Sequence, residues 1–151
     1  MSSHQGWIEK RQYERVDASI RVAYRFIDRM ELLDSLTEKP YKDWTAEHLE
    51  ELSRKSTVLN AVTKNISMGG MALIGPEQFP HDKSLEIKLF LPGYTTPIKM
   101  LADVVSAQKE MPTLQGTNYR AGIKILAINS DDVVKLDMYL LSEKLRKQNE
   151  R

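Results

Sequence analysis

The sequence predicts a mostly β protein: a small antiparallel barrel, closed or nearly so, followed by a helix. Three observations carry that prediction. Apolar residues alternate with polar ones in several separate stretches, the period-two mark of half-buried strands. Turn residues punctuate those stretches at short intervals: Ser67-Met68-Gly69-Gly70, Gly75-Pro76, Phe79-Pro80 and Pro92-Gly93. The C-terminal stretch then changes to helical spacing.

The elements follow in order. Residues 1–15 show no apolar period and read as a flexible tail, with Trp7, Ile8 and Tyr13 among Lys10, Arg11 and Arg15. From Ile20 the chain alternates Ile20, Val22, Tyr24 and Phe26 against Arg21, Ala23 and Arg25, a strand with its arginines on the wet face. Residues 29–55 break this pattern. Met30, Leu32, Leu33 and Leu36 fall at helical spacings, Pro40 ends the run, and Thr45 is a plausible N-cap for a second short helix. This insert is acidic, with eight acids against five bases over residues 28–56. It is expected to project from the barrel between the first two strands.

Strand character returns at Thr57–Ile66. Met71–Ile74, Ser84–Leu91, Pro97–Gln108 and Tyr119–Ile128 complete the set, with a hairpin loop at Glu110–Asn118. Asn129-Ser130-Asp131-Asp132 opens the terminal helix, its acids placed where the helix dipole favours them. Val133, Leu136 and Leu140 form one apolar row of that helix. Val134, Met138, Leu141 and Leu145 form another. One row can cover a barrel mouth, and the other can meet a partner.

Composition narrows the function. The 151 residues carry 22 Lys+Arg and 21 Asp+Glu, a net charge of +1, which argues against a broad DNA- or RNA-binding face. The absence of cysteine excludes disulfides, thiolate metal sites and a Cys nucleophile. His4, His48 and His81 are too scattered for a histidine metal centre. No apolar run approaches the roughly 18–20 residues of a membrane span, and the polar N-terminus lacks a signal-peptide core, so no membrane insertion and a cytoplasmic address are expected. Ser67 with His81 and Asp82 makes no catalytic triad, because nothing places a base beside the serine and no nucleophile elbow is present. The expected protein is not an enzyme.

Two short patterns remain. Arg11-Gln12-Tyr13-Glu14-Arg15 is an RxxxR, and Asn65-Ile66-Ser67-Met68-Gly69-Gly70 is an [DN]xSxxG at a strand-to-strand turn. Arg suits phosphates and purines alike: its fork pairs bidentately with phosphate oxygens or with guanine O6 and N7, and its face stacks on the ring. Asn65 and Ser67, two apart at a strand end, can offer an acceptor and a donor. Gly70 lets backbone approach a flat group closely or supplies a positive φ.

These patterns, in this order beside a strand, resemble the PilZ domain, the bacterial receptor module for cyclic di-GMP. The resemblance runs from about Arg11 to about Leu145, excluding the insert, and includes Tyr119-Arg120-Ala121-Gly122-Ile123-Lys124-Ile125 as the late strand. It implies a six-stranded antiparallel barrel with a C-terminal helix. It also implies that Arg11, Arg15, Asn65, Ser67 and Gly70 hold the dinucleotide, with Lys10 and Gly69 as weaker contributors. No cofactor or metal is implied beyond that ligand. The domain plan is then a tail over 1–15 and a barrel plus helix over 16–151, with the helical insert at about 29–55. The Arg15-to-Asn65 spacing exceeds the family's usual one, and the insert accounts for the excess.

The mechanism implied is ordering of the tail by the ligand, with the signal passed to an unidentified protein effector. The alternative is a barrel of the same fold acting as an interaction or oligomerisation module with little or no nucleotide affinity. The insert and the terminal helix are the candidate surfaces for a homo-oligomer.

Overall fold

The structure, a computed structural model, describes residues 14–45, 47–48, 51, 57–81 and 83–149. In chain order the elements are β1 (Val16–Asp17), β2 (Arg21–Asp28), α1 (Arg29–Glu38), a 3₁₀ turn (Tyr41–Asp43), β3 (Leu59–Ile66), β4 (Gly70–Gly75), β5 (Lys83–Leu89), β6 (Ile98–Lys109), β7 (Tyr119–Ile128) and α2 (Ser130–Asn149). The sheet runs β3-β2-β5-β6-β7-β4, and β4 pairs back with β3, closing a six-stranded barrel whose pairings are all antiparallel. The expected barrel, terminal helix and insert after the first long strand are all present. A two-residue strand, β1, precedes them and pairs Val16 with Ile66 and Asp17 with Asn65.

Alternation fills the barrel. Val22, Tyr24, Leu85, Ile87, Leu89, Met100, Ala102, Val104, Ala121 and Ile123 are buried inside it. Tyr24 stacks on Phe79 with ring centroids 5.4 Å apart. β1 and β2 lie on the same side of β3, broken by a bend at Ala18–Ile20. Thr63 stitches that bend: its hydroxyl donates to the Ala18 carbonyl at 2.5 Å and accepts from Ile20 N at 2.9 Å. Buried and doubly bonded, it holds the Ala18–Ile20 bend beside β3.

The insert corrects one expectation. Its described residues do not project; they pack against the barrel's outer face. Asp28 caps α1, its Oδ1 accepting from Met30 N and Glu31 N at 3.0 and 3.1 Å. Leu32 and Tyr41 then bury against Ile27 and Leu101, with Leu36, Trp44 and Ala127 around them. Ile27 and Leu101 break the alternation of their strands because a second layer covers their outer side. Of the second predicted helix only part is described: Glu47, His48 and Glu51 are helical, and the Thr45 hydroxyl accepts from His48 N at 3.2 Å.

The two rows of α2 face differently. Leu136 and Leu140 are buried on the barrel and Val133 is half-buried, while Val134, Met138, Leu141 and Leu145 are exposed. Among the described residues no helix is long and apolar enough to cross a membrane, and no cluster of acidic or histidine side chains has the grouping of a metal site.

Candidate functional site

The [DN]xSxxG segment forms the β3–β4 turn. Ser67 organises it: its Oγ accepts from Gly69 N at 3.3 Å and Gly70 N at 3.2 Å, and donates to Gly70 O at 3.1 Å. Ser67 N also donates to Gly70 O at 2.8 Å, and Ile125 N donates to Gly69 O at 3.0 Å. The serine is buried, and its hydroxyl is occupied in building the turn. This is a different task from the free donor that its spacing suggests.

Gly70 also departs from the reading of its residue type. Its φ is not positive, and the surface it approaches closely is the chain's own. A Cβ at Gly70 would stand 2.1 Å from the Ile123 carbonyl oxygen on β7. The glycine is required for β4 to pair with β7 at Lys124.

Asn65 is placed by a β-bulge. The β3–β4 register shifts between Thr63 and Asn65, so Thr63 and Ile66 both point into the core. Without the bulge, Asn65 would share the inward face with Thr63. With it, Asn65 turns out, half-buried, toward Arg15 just before β1. There Arg15 Nη1 meets Asn65 Oδ1 at 3.5 Å, a long contact at the edge of hydrogen bonding. Among the described residues this is the one polar contact of the Arg15 guanidinium.

Arg15 lies where three hollows adjoin. The largest, about 1170 Å³, is lined by Arg15, the Ser67–Gly70 turn, Val105 and the β7 stretch from Ile123 to Ile128, Lys124 included. A second, 480 Å³, runs from Glu14–Asp17 past Met68 to Lys144 and Lys147 of α2. A third, 390 Å³, sets Arg15 near Ser106, Gln108 and Arg120. The Glu14–Asp17 segment is tied to α2 by the Lys144–Glu14 ion pair at 2.6 Å and by Lys147 donating to the Asp17 carbonyl.

The structure therefore brings Arg15, Asn65, Ser67, Gly69 and Gly70 together. Lys10 and Arg11 lie outside the described residues. Lys124, Arg120 and Lys144, not picked out as site residues in the sequence, line the largest, third and second hollows respectively. Arg120 and Lys124, four apart on β7, fall on the same face, and that spacing is legible; which strand stands beside the turn is not. The wide groove, with Arg15 and Lys124 in its lining, can accommodate an anionic ligand, its charges meeting a guanidinium and an ammonium.

Comparison with known proteins agrees with the fold. A family model described as "PilZ domain" matches residues 47–142, from the end of the insert into α2, and leaves Arg15, β1 and β2 outside. No curated protein matches the chain. Among solved structures, the PilZ domain of Escherichia coli YcgR with c-di-GMP superposes with a TM-score of 0.55 at 13% identity, covering 93% of this chain and 96% of that one. MrkH of K. pneumoniae in its apo state gives 0.62 at 15% identity, covering 91% and 53%. The Bacillus subtilis inhibitor of motility MotI/DgrA gives 0.54 at 19% identity, covering 93% and 52%. Identities this low speak to fold. The chain spans about half the length of the latter two proteins.

Proposed function

The chain belongs to the PilZ domain family, and on that premise we propose that it is a non-enzymatic receptor for cyclic di-GMP. The observation that carries this reading is the open Arg15 fork beside the Ser67–Gly70 turn, facing the 1170 Å³ groove. In this reading Arg11, Arg15 and Asn65 contact the ligand directly. Ser67 and Gly70 act by shaping the turn, and Lys10 and Gly69 add weaker contacts. Guanine offers O6 and N7 to an arginine fork, and the two phosphates take charge-assisted bonds of roughly 1.5–3 kcal/mol each. Binding draws the segment before Glu14 onto the barrel. Fixing backbone costs roughly 1–2 kcal/mol per residue, so only a few residues need order for the contacts to prevail. The altered surface is then read by a protein effector.

Calorimetry on the purified chain tests this. Cyclic di-GMP should bind, and Arg15→Ala or Arg11→Ala should each weaken binding by about a hundredfold with the barrel still folded. Absence of heat and of chemical-shift change at millimolar ligand would overturn the receptor reading.

A further inference from the structure

The outer row of α2 follows a regular pattern. Val134, Met138, Leu141 and Leu145 are spaced by four, three and four residues, the a/d repeat of a coiled-coil seam. Each is more than half exposed, at 57%, 60%, 57% and 51%, while Leu136 and Leu140 on the opposite side are sealed against the barrel. The helix thus has one face for its own core and a second, continuous apolar face three turns long.

The charges beside that seam select its occupant. Asp137 and Lys144 lie one heptad apart on the same flank. If a second copy of α2 is laid antiparallel about a two-fold axis between Tyr139 and Leu140, Val134 meets Leu145 of the second copy and Met138 meets its Leu141. Asp137 then comes opposite Lys144 of the second copy, twice by symmetry. A parallel pair would instead set Asp137 against Ser142 and Lys144 against Asn149 of the second copy, and pair Asp137 with no cation. Antiparallel packing also aligns the helix dipoles favourably. We propose that this face is an isologous dimer interface, in which α2 pairs antiparallel with α2 of a second copy of the chain. Lys144 already meets Glu14, and its ammonium has three donors, so it can serve both acids. The inference is independent of ligand identity.

Sedimentation of the full chain over a concentration series tests it. A monomer–dimer equilibrium is expected. Met138→Glu and Leu141→Glu should each raise its dissociation constant by about tenfold or more, with circular dichroism unchanged because both side chains are exposed. Asp137→Lys or Lys144→Asp alone should weaken the dimer by setting like charges together, and the two combined should restore it. The combined variant still lacks the Glu14 tie, so restoration reports the intermolecular pair. A chain monomeric up to millimolar concentration overturns the proposal, even if the stripe binds some other protein. So does a dimer indifferent to both glutamates, or a charge exchange that fails to restore it.

Discussion

Arg15 and Arg29 bracket the interrupted strand formed by β1 and β2, one before it and one after. Arg29 is enclosed by partners: its Nη2 donates to the His81 and Lys83 carbonyls at 2.6 and 3.1 Å, and its Nε stands 3.4 Å from Asp103 Oδ1. Asp103 in turn accepts from the Ser84 hydroxyl at 2.6 Å. Arg29 fastens the start of the insert to β5 and β6. Arg15 has one long contact, to Asn65, at the edge of an open groove. The same residue type is a structural clasp at one end of the strand and an open fork at the other. What separates them is the carbonyls and carboxylates that the fold brings within reach.

This contrast can be broken from several directions. The strongest is Gly70→Ala. A Cβ 2.1 Å from a backbone oxygen has no rotamer to escape through, so β4 and β7 must part. We expect a loss of about 3 kcal/mol or more in denaturant unfolding, with the Arg15 groove lost alongside. Alkali is next. Burial, aided by Glu77, raises the Tyr24 phenol from 10.0 to about 12; burial, aided by Glu86 and Asp132, does the same to Tyr41 under the insert. Both phenols are held neutral in the fold. Between pH 10 and pH 12 the unfolded chain therefore releases protons that the folded chain keeps. Stability should fall as pH rises through that window, by about 2–3 kcal/mol per phenol. Tyr41→Phe should flatten the decline, and stability independent of pH across the window would contradict the burial.

Ser67→Ala removes the hydroxyl that serves two backbone donors and one carbonyl. A destabilisation of about 2 kcal/mol is expected, with ligand affinity reduced through the turn. Asn65→Ala, by contrast, should weaken affinity and leave the midpoint of unfolding in place. The smallest effect sharpens the original comparison. Arg29→Ala, partly exposed and so partly screened, should cost about 1 kcal/mol of stability and spare binding. Arg15→Ala should cost under about 0.5 kcal/mol of stability and weaken binding by about a hundredfold. A reversal of these two outcomes would overturn the assignment of roles.

Much of the fold was legible because it rests on local period. The alternation in Leu85, Ile87 and Leu89 and the two rows of α2 depend only on where consecutive side chains point. The turn motif was legible as a turn. Its inner workings were not: the Ser67 hydroxyl could be seen as occupied only once Gly69, Gly70 and β7 stood around it. The insert was misread for the same reason. Leu32 and Tyr41 cover Ile27 and Leu101, and no local period shows that the outer side of a strand has a second layer.

By itself, then, the sequence determined the strands, the turns, the amphipathic helix and the two arginine-and-turn motifs, since each follows from short-range spacing and backbone preference. Tertiary structure alone decided that Gly70 yields to Ile123, that a bulge turns Asn65 toward Arg15, and that Lys124, Arg120 and Lys144 line three separate hollows that adjoin at Arg15. These depend on barrel closure and strand register, which bring together residues far apart in the chain, and register is a global property of the sheet.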